Sequence, residues 1–115
     1  MSFRWPTKDP DESLDYSVDW ERFLQGATIT NVDWFVKSSL YNVKTELQQG
    51  QTLTAASSNA TTDSIQNVSE TNTTTVATIN ISGGQNNVEY TFFCQMTDST
   101  GSTAERSIKL RIKER

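Results

Sequence analysis

Histidine is absent from the 115-residue chain. Mechanisms that need an imidazole base, a Ser-His-Asp or Cys-His relay, or a His-ligated metal therefore have no residue to use. Cysteine occurs once, at Cys94, which is too little for an internal disulfide or a thiolate zinc site. Positive charge is scarce: 10 Lys and Arg stand against 14 Asp and Glu, a net charge of −4. That balance argues against duplex nucleic acid as a partner, since phosphate neutralisation rests on Lys and Arg. No apolar run approaches the roughly 20 residues that span a bilayer. The opening Met1-Ser2-Phe3-Arg4-Trp5-Pro6 lacks the apolar stretch of a secretory signal, so a soluble chain made in a reducing cytosol is expected. What remains is 34% hydrophobic, with three Trp and five Phe, enough for one core in one small domain.

Proline is also rare, and both copies, Pro6 and Pro10, fall in the first twelve residues. With the charges of Lys8, Asp9, Asp11 and Glu12 they make residues 1–12 an extended arm rather than a helix or central strand. Phe3 and Trp5 are unusual on such an arm. Either they cover the bottom of this domain's own core, or they dock on a neighbouring subunit.

From Ser13 onward the chain alternates with period two. Leu14, Tyr16, Val18 and Trp20 share one face, a half-buried strand, and Glu21 to Gln25 suggests a single helical turn stopped by Gly26. A second strand runs from Thr28 to Lys37 with a bulge near Asn31, and a third is predicted from Tyr41, Val43 and Leu47, ending at Gly50. Residues 51–74 are rich in Ser, Thr, Asn and Gln and read as short edge strands with wide polar loops. Ala77, Ile79 and Ile81 lead to the turn Ser82-Gly83-Gly84. Val88 to Met96 is the strongest alternation of all, and an Asp98-to-Gly101 turn leads to a last strand carrying Ile108, Leu110 and Ile112. About seven short strands predict an all-β antiparallel sandwich over residues 13–115, with Tyr16, Val18, Trp20, Trp34, Tyr90, Phe92, Ile108 and Leu110 buried. Gly84 followed by Tyr90 resembles the tyrosine corner of immunoglobulin-like domains, which makes the predicted sandwich immunoglobulin-like.

Candidate chemistry is thin. Asp9, Asp11, Glu12, Asp15 and Asp19 crowd one end but lack the loop spacing and glycine of a calcium loop, so a solvated acidic arm is the simpler account. Cys94 shares the core-facing phase and reads as a small hydrophobe. Gly83-Gly84 is not a phosphate loop, because no Lys-Ser/Thr follows it. The ending Arg106 to Arg115 places a basic stripe on one strand face. It is either an edge-protecting solvated face or a contact with an acidic partner, such as the Asp-rich first strand of a next subunit. No catalytic residue, metal or cofactor is expected.

The segments Trp5 to Glu12, Leu14 to Trp20, Thr28-Ile29 with Trp34, Ile81 to Gly84, Tyr90, the Asp98 to Gly101 turn, and Arg106 to Arg115 resemble the small tailed-bacteriophage proteins known as fibre-tail adaptors. The resemblance spans the chain and is weakest at Asn59 to Thr74. It implies a non-enzymatic virion structural protein at the head-to-tail junction, assembled in the bacterial host cytoplasm and present in many symmetric copies. Its partners would be connector, tail or fibre subunits and copies of itself, with neither nucleic acid nor membrane. A capsid decoration protein and a carboxylate-only tail glycan hydrolase are the alternatives. For partner binding, the arm offers Phe3, Trp5, Pro6, Lys8, Asp9 and Pro10. If the arm docks on a neighbour, deleting residues 1–12 should leave the melting temperature nearly unchanged.

Overall fold

Every second residue from Val88 to Met96 is buried, and the strand they define, β8 (Glu89–Asp98), lies inside a five-stranded sheet. The computed structural model describes residues 3–40, 42–54 and 62–114. In chain order its elements are β1 (Phe3–Arg4), β2 (Ser13–Asp19), α1 (Glu21–Leu24), β3 (Ile29–Ser38) and β4 (Thr45–Glu46). There follow β5 (Thr52–Thr54), β6 (Thr62–Asn72), β7 (Val76–Ser82), β8 and β9 (Thr103–Arg111). One sheet has the order β1-β9-β8-β3-β4 and the other β2-β7-β6-β5. All pairings are antiparallel except that of β1 with β9. The chain is thus an antiparallel β-sandwich, and no helix among the described residues is long and apolar enough to cross a membrane.

The inward faces of the two sheets form one core in which Trp20, Trp34, Tyr90 and Phe92 are the bulkiest fully buried aromatic residues. Burying side chains of this size stabilises by roughly 1.5–3 kcal/mol each, which is why alternation fixes the register of β2, β3, β7, β8 and β9 so firmly. All eight residues expected to be buried are buried. The bulge near Asn31 appears as a register shift between Ile29 and Asn31. The Tyr90 phenol accepts a hydrogen bond from Gln85 N at 3.0 Å, tying the β7–β8 connection to the start of β8.

Two expected elements differ. The third strand shrinks to β4, two residues paired with Phe35 and Val36; Val43 is 47% exposed, and Tyr41 lies outside the described residues. Here Leu47 is the apolar residue that reaches the core, donating its N–H to Trp34 O at 2.9 Å. A single buried anchor holds a loop end but does not require a ladder. The polar stretch shows the opposite error. It does hold a short edge strand, β5, but beside it runs the eleven-residue β6, which lies between β7 and β5. A sheet with one solvated face needs inward apolar residues only at alternate sites. Ile65 and Asn67 fill those sites, Val68 lies on the outward phase, and the register shifts between Asn67 and Ser69.

Candidate interface on the N-terminal edge

Pro6 and Pro10 keep the first segment extended, and the segment runs along the free edge of β9. Phe3 pairs with Ile108 and Arg4 with Lys109. Beyond β1, Trp5 N donates to Lys109 O at 2.9 Å, Lys8 N to Arg111 O at 3.0 Å, and Lys113 N to Lys8 O at 2.9 Å. Asp9 to Glu12 then form a turn in which the carboxylates accept backbone N–H groups: Asp9 Oδ1 from Asp11 N and Glu12 Oε1 from Asp9 N, each at 2.9 Å. The bonds make the arm an edge strand of its own domain.

Of the two readings of Trp5, the structure adopts the internal one. Its ring stacks on Tyr16 at 4.8 Å between centroids and lies 5.6 Å from Phe92 and 6.1 Å from Trp34. The indole N–H donates to Ser17 O at 3.2 Å, across to the edge of β2. Tyr16 answers with its hydroxyl, which donates to Pro6 O at 3.3 Å. Arg106 crosses the same gap, donating to Asp19 O at 2.8 Å while its guanidinium lies 4.4 Å from the Trp20 ring centroid. Side chains from one sheet thus satisfy carbonyls on the open edge of the other, which protects β2 from pairing with foreign strands.

Lys8 is fully buried, and its ammonium donates to Asp9 O at 2.8 Å and Gly83 O at 2.7 Å. Burial holds its pKa below the ordinary lysine value, opposed by the charges of Glu12, Asp9 and Asp11. Pro6 is exposed, Asp9 and Pro10 are half-buried, and Phe3 is placed only by its backbone. The sequence-selected residues therefore form one continuous edge, with Trp5 and Lys8 turned inward as its anchors. An arm held this way packs as an edge of its own domain.

The other acidic residues are also engaged locally. Asp15 accepts from Asn80 Nδ2 at 2.9 Å and Asp19 from Glu21 N at 2.9 Å. Among the described residues no group of three His, Cys, Asp or Glu is arranged to hold a metal. Cys94 is wholly buried, and burial pushes its thiol up to about 12.

Residue selection from the sequence passed over Phe35 and Phe93. They sit directly opposite each other on the outward face of the five-stranded sheet, half-buried, with Lys44 Nζ 5.0 Å and 4.7 Å from their ring centroids. The signal was available: both share phase with polar neighbours, Asp33 and Lys37 on β3, Thr91 and Gln95 on β8.

No curated protein matches the chain. Residues 8–46 and 40–111, nearly the whole sandwich, match the family described as Podophage GP4 fiber-tail adaptor protein gp77. On this match, which covers most of the chain, the chain belongs to the podophage fiber-tail adaptor family.

Proposed function

We propose that the protein is a non-enzymatic linker that joins the head-to-tail connector or tail to fibres through several symmetric copies, assembled into the virion in the host cytoplasm. The partner contact is the outer side of residues 1–12. Pro6, Asp9 and Pro10 meet the partner, with Phe3 beside them in the edge strand, while Trp5 and Lys8 hold the segment in the shape it presents. The observation that supports this reading is the rigid clamping of the segment on β9 and Gly83. A preorganised edge loses little conformational freedom on docking, so more of its contact energy remains as affinity. Symmetric repetition then multiplies a modest per-copy affinity.

Immunogold labelling of the protein in intact virions tests the reading. Label at the head-to-tail junction is expected. Label over the capsid shell would identify a decoration protein instead and overturn the proposal.

A further inference from the structure

The two edges of the five-stranded sheet are finished differently. At one end the arm covers β9, but at the other β3 outruns its neighbour, because β4 pairs only with Phe35 and Val36. Trp34 O accepts from Leu47 N at 2.9 Å, so the Trp34 backbone faces the β4 side, and the period of two turns the Val32 N–H and C=O the same way. β4 stops short of Val32, so no strand among the described residues pairs with these two groups. Beside Val32 lies a cleft of about 250 Å³, walled by residues 31–34 of β3, residues 46–49, and Glu70 of β6. It collects three carboxylates, Asp33, Glu46 and Glu70, and no Lys or Arg lines it. None of the three forms an ion pair among the described residues. Lys44, the cation nearest to Glu46 in the chain, is turned to Glu105 at 2.6 Å, and Lys37 lies 5.9 Å from the Phe93 ring centroid. Burial raises the Glu70 pKa against the Asn67 hydrogen bond, and the charges of Asp33 and Glu46 raise it further. Two buried polar atoms also go unmet among the described residues. Asn67, wholly buried, gives its nitrogen to Glu70 Oε2 and Leu47 O while its Oδ1 has no donor, and the indole N–H of Trp34, a residue of the cleft wall, has no acceptor.

We infer that this edge takes an extended, arginine-bearing segment of another virion protein, which adds a short strand to β3 at Val32 and places a guanidinium among Asp33, Glu46 and Glu70. The unmet groups are of both kinds. Val32 N–H and the Trp34 indole need acceptors, while Val32 O, Asn67 Oδ1 and the carboxylates need donors. A metal ion answers only the second kind, and the three carboxylates are not arranged to hold one. A peptide answers both: its main chain bonds the strand edge, and a guanidinium, with five N–H donors in a planar fork, spans carboxylates spread too wide for a metal. The cleft is smaller than the roughly 300–1,000 Å³ of small-molecule sites, a size that suits one side chain. That the partner is a virion protein rests on the adaptor reading. A linker needs two contacts, and this one lies at the opposite edge of the sheet from the arm.

The test titrates the full chain, isotope-labelled for amide NMR, with the end-blocked peptide Val-Arg-Val-Arg-Val. Saturable shifts confined to residues 31–34, 46–49 and 70 are expected, and rising salt should weaken the binding. The Asp33→Asn/Glu70→Gln variant, checked for a cooperative melt, should bind at least about tenfold more weakly, because the guanidinium loses two charged acceptors. Two N-methylated forms of the peptide, methylated at alternate residues in opposite phases, keep the charge and differ in which strand edge retains its N–H groups. One should bind like the parent and the other at least about tenfold more weakly, a readout made on the wild-type protein and so independent of any folding defect. Absence of saturable shifts, shifts centred elsewhere on the molecule, equal binding of both methylated forms, or equal binding of Val-Glu-Val-Glu-Val would overturn the inference. A protein labelled at the tail junction that does not bind the peptide sinks the inference alone; a protein that binds it but is labelled on the capsid shell sinks the adaptor reading alone.

Discussion

Lys8 Nζ donates to Gly83 O at 2.7 Å, so a charged residue of the first segment is hydrogen-bonded to the turn that joins β7 to β8. The same ammonium satisfies Asp9 O. Lys8→Met keeps most of the volume but removes both donors, and should destabilise the domain by about 1–3 kcal/mol, the cost of leaving buried acceptors unpaired. Chemical denaturation measures this. A variant as stable as the wild type would mean that the stem, not the ammonium, holds the segment.

Trp5→Ala should cost about 2–4 kcal/mol, at or below the range for a large aromatic in a core because Trp5 is only half-buried. Deletion of residues 1–12 should lower the melting temperature further, since it also strips the backbone bonds to β9. An unchanged melt would return the arm to the role of a free strap.

Gly84→Ala should be among the most damaging single-methyl changes. At φ +102° an added Cβ would sit 2.7 Å from Ile112 Cγ1, with Ile65 Cδ1 at 3.2 Å, in a conformation that L side chains rarely adopt. Strain and overpacking together predict a loss of about 2 kcal/mol or more, read from the shift in denaturation midpoint.

Cys94→Ala should cost about 1–2 kcal/mol for a small buried side chain. With its thiol pushed up to about 12, the native protein should resist thiol reagents at neutral pH and react only after unfolding. Rapid modification of folded protein, or failed particle assembly by a normally melting variant, would reveal a function for the thiol.

Two carboxylates should shift stability with pH in opposite directions. The Thr100 hydroxyl and the backbone N–H groups of Ser102 and Thr100 hold Asp98 below its ordinary 3.8, although burial opposes them. Its contribution is present above pH 3.8 and lost as pH falls through the lower folded value, so the penalty of Asp98→Asn should shrink in acid. Burial raises Glu70 above its ordinary 4.5; Asn67's hydrogen bond opposes this, and Asp33 and Glu46 add to it. The folded state then keeps its proton longer than the unfolded one, so stability falls as pH rises through that window. Glu70→Gln should gain relative to wild type between acid and neutral pH. Denaturation midpoints of both variants across that range check the two signs.

Alternation in the sequence was sufficient for β2, β3, β7, β8 and β9, because each buries apolar residues at alternate positions and a slip of one residue would expose them. It also placed Cys94 in the core and the Asn31 bulge in β3. It could not find β6, whose inward sites include a buried asparagine. Asn67 is accommodated only because Leu47 O and Glu70 come within hydrogen-bond distance, at 3.0 Å and 2.7 Å. The arm marks the same boundary. Its prolines and charges predict an extended segment, yet nothing local states which surface it covers. That depends on a slot built by Tyr16, Trp34 and Phe92 from three different strands, and on a carbonyl 75 positions away that receives the Lys8 ammonium. Period-two burial is a property of consecutive residues and can be read along the chain. A binding slot is a property of strands brought together by the sheets, so only the tertiary structure decides what fills it.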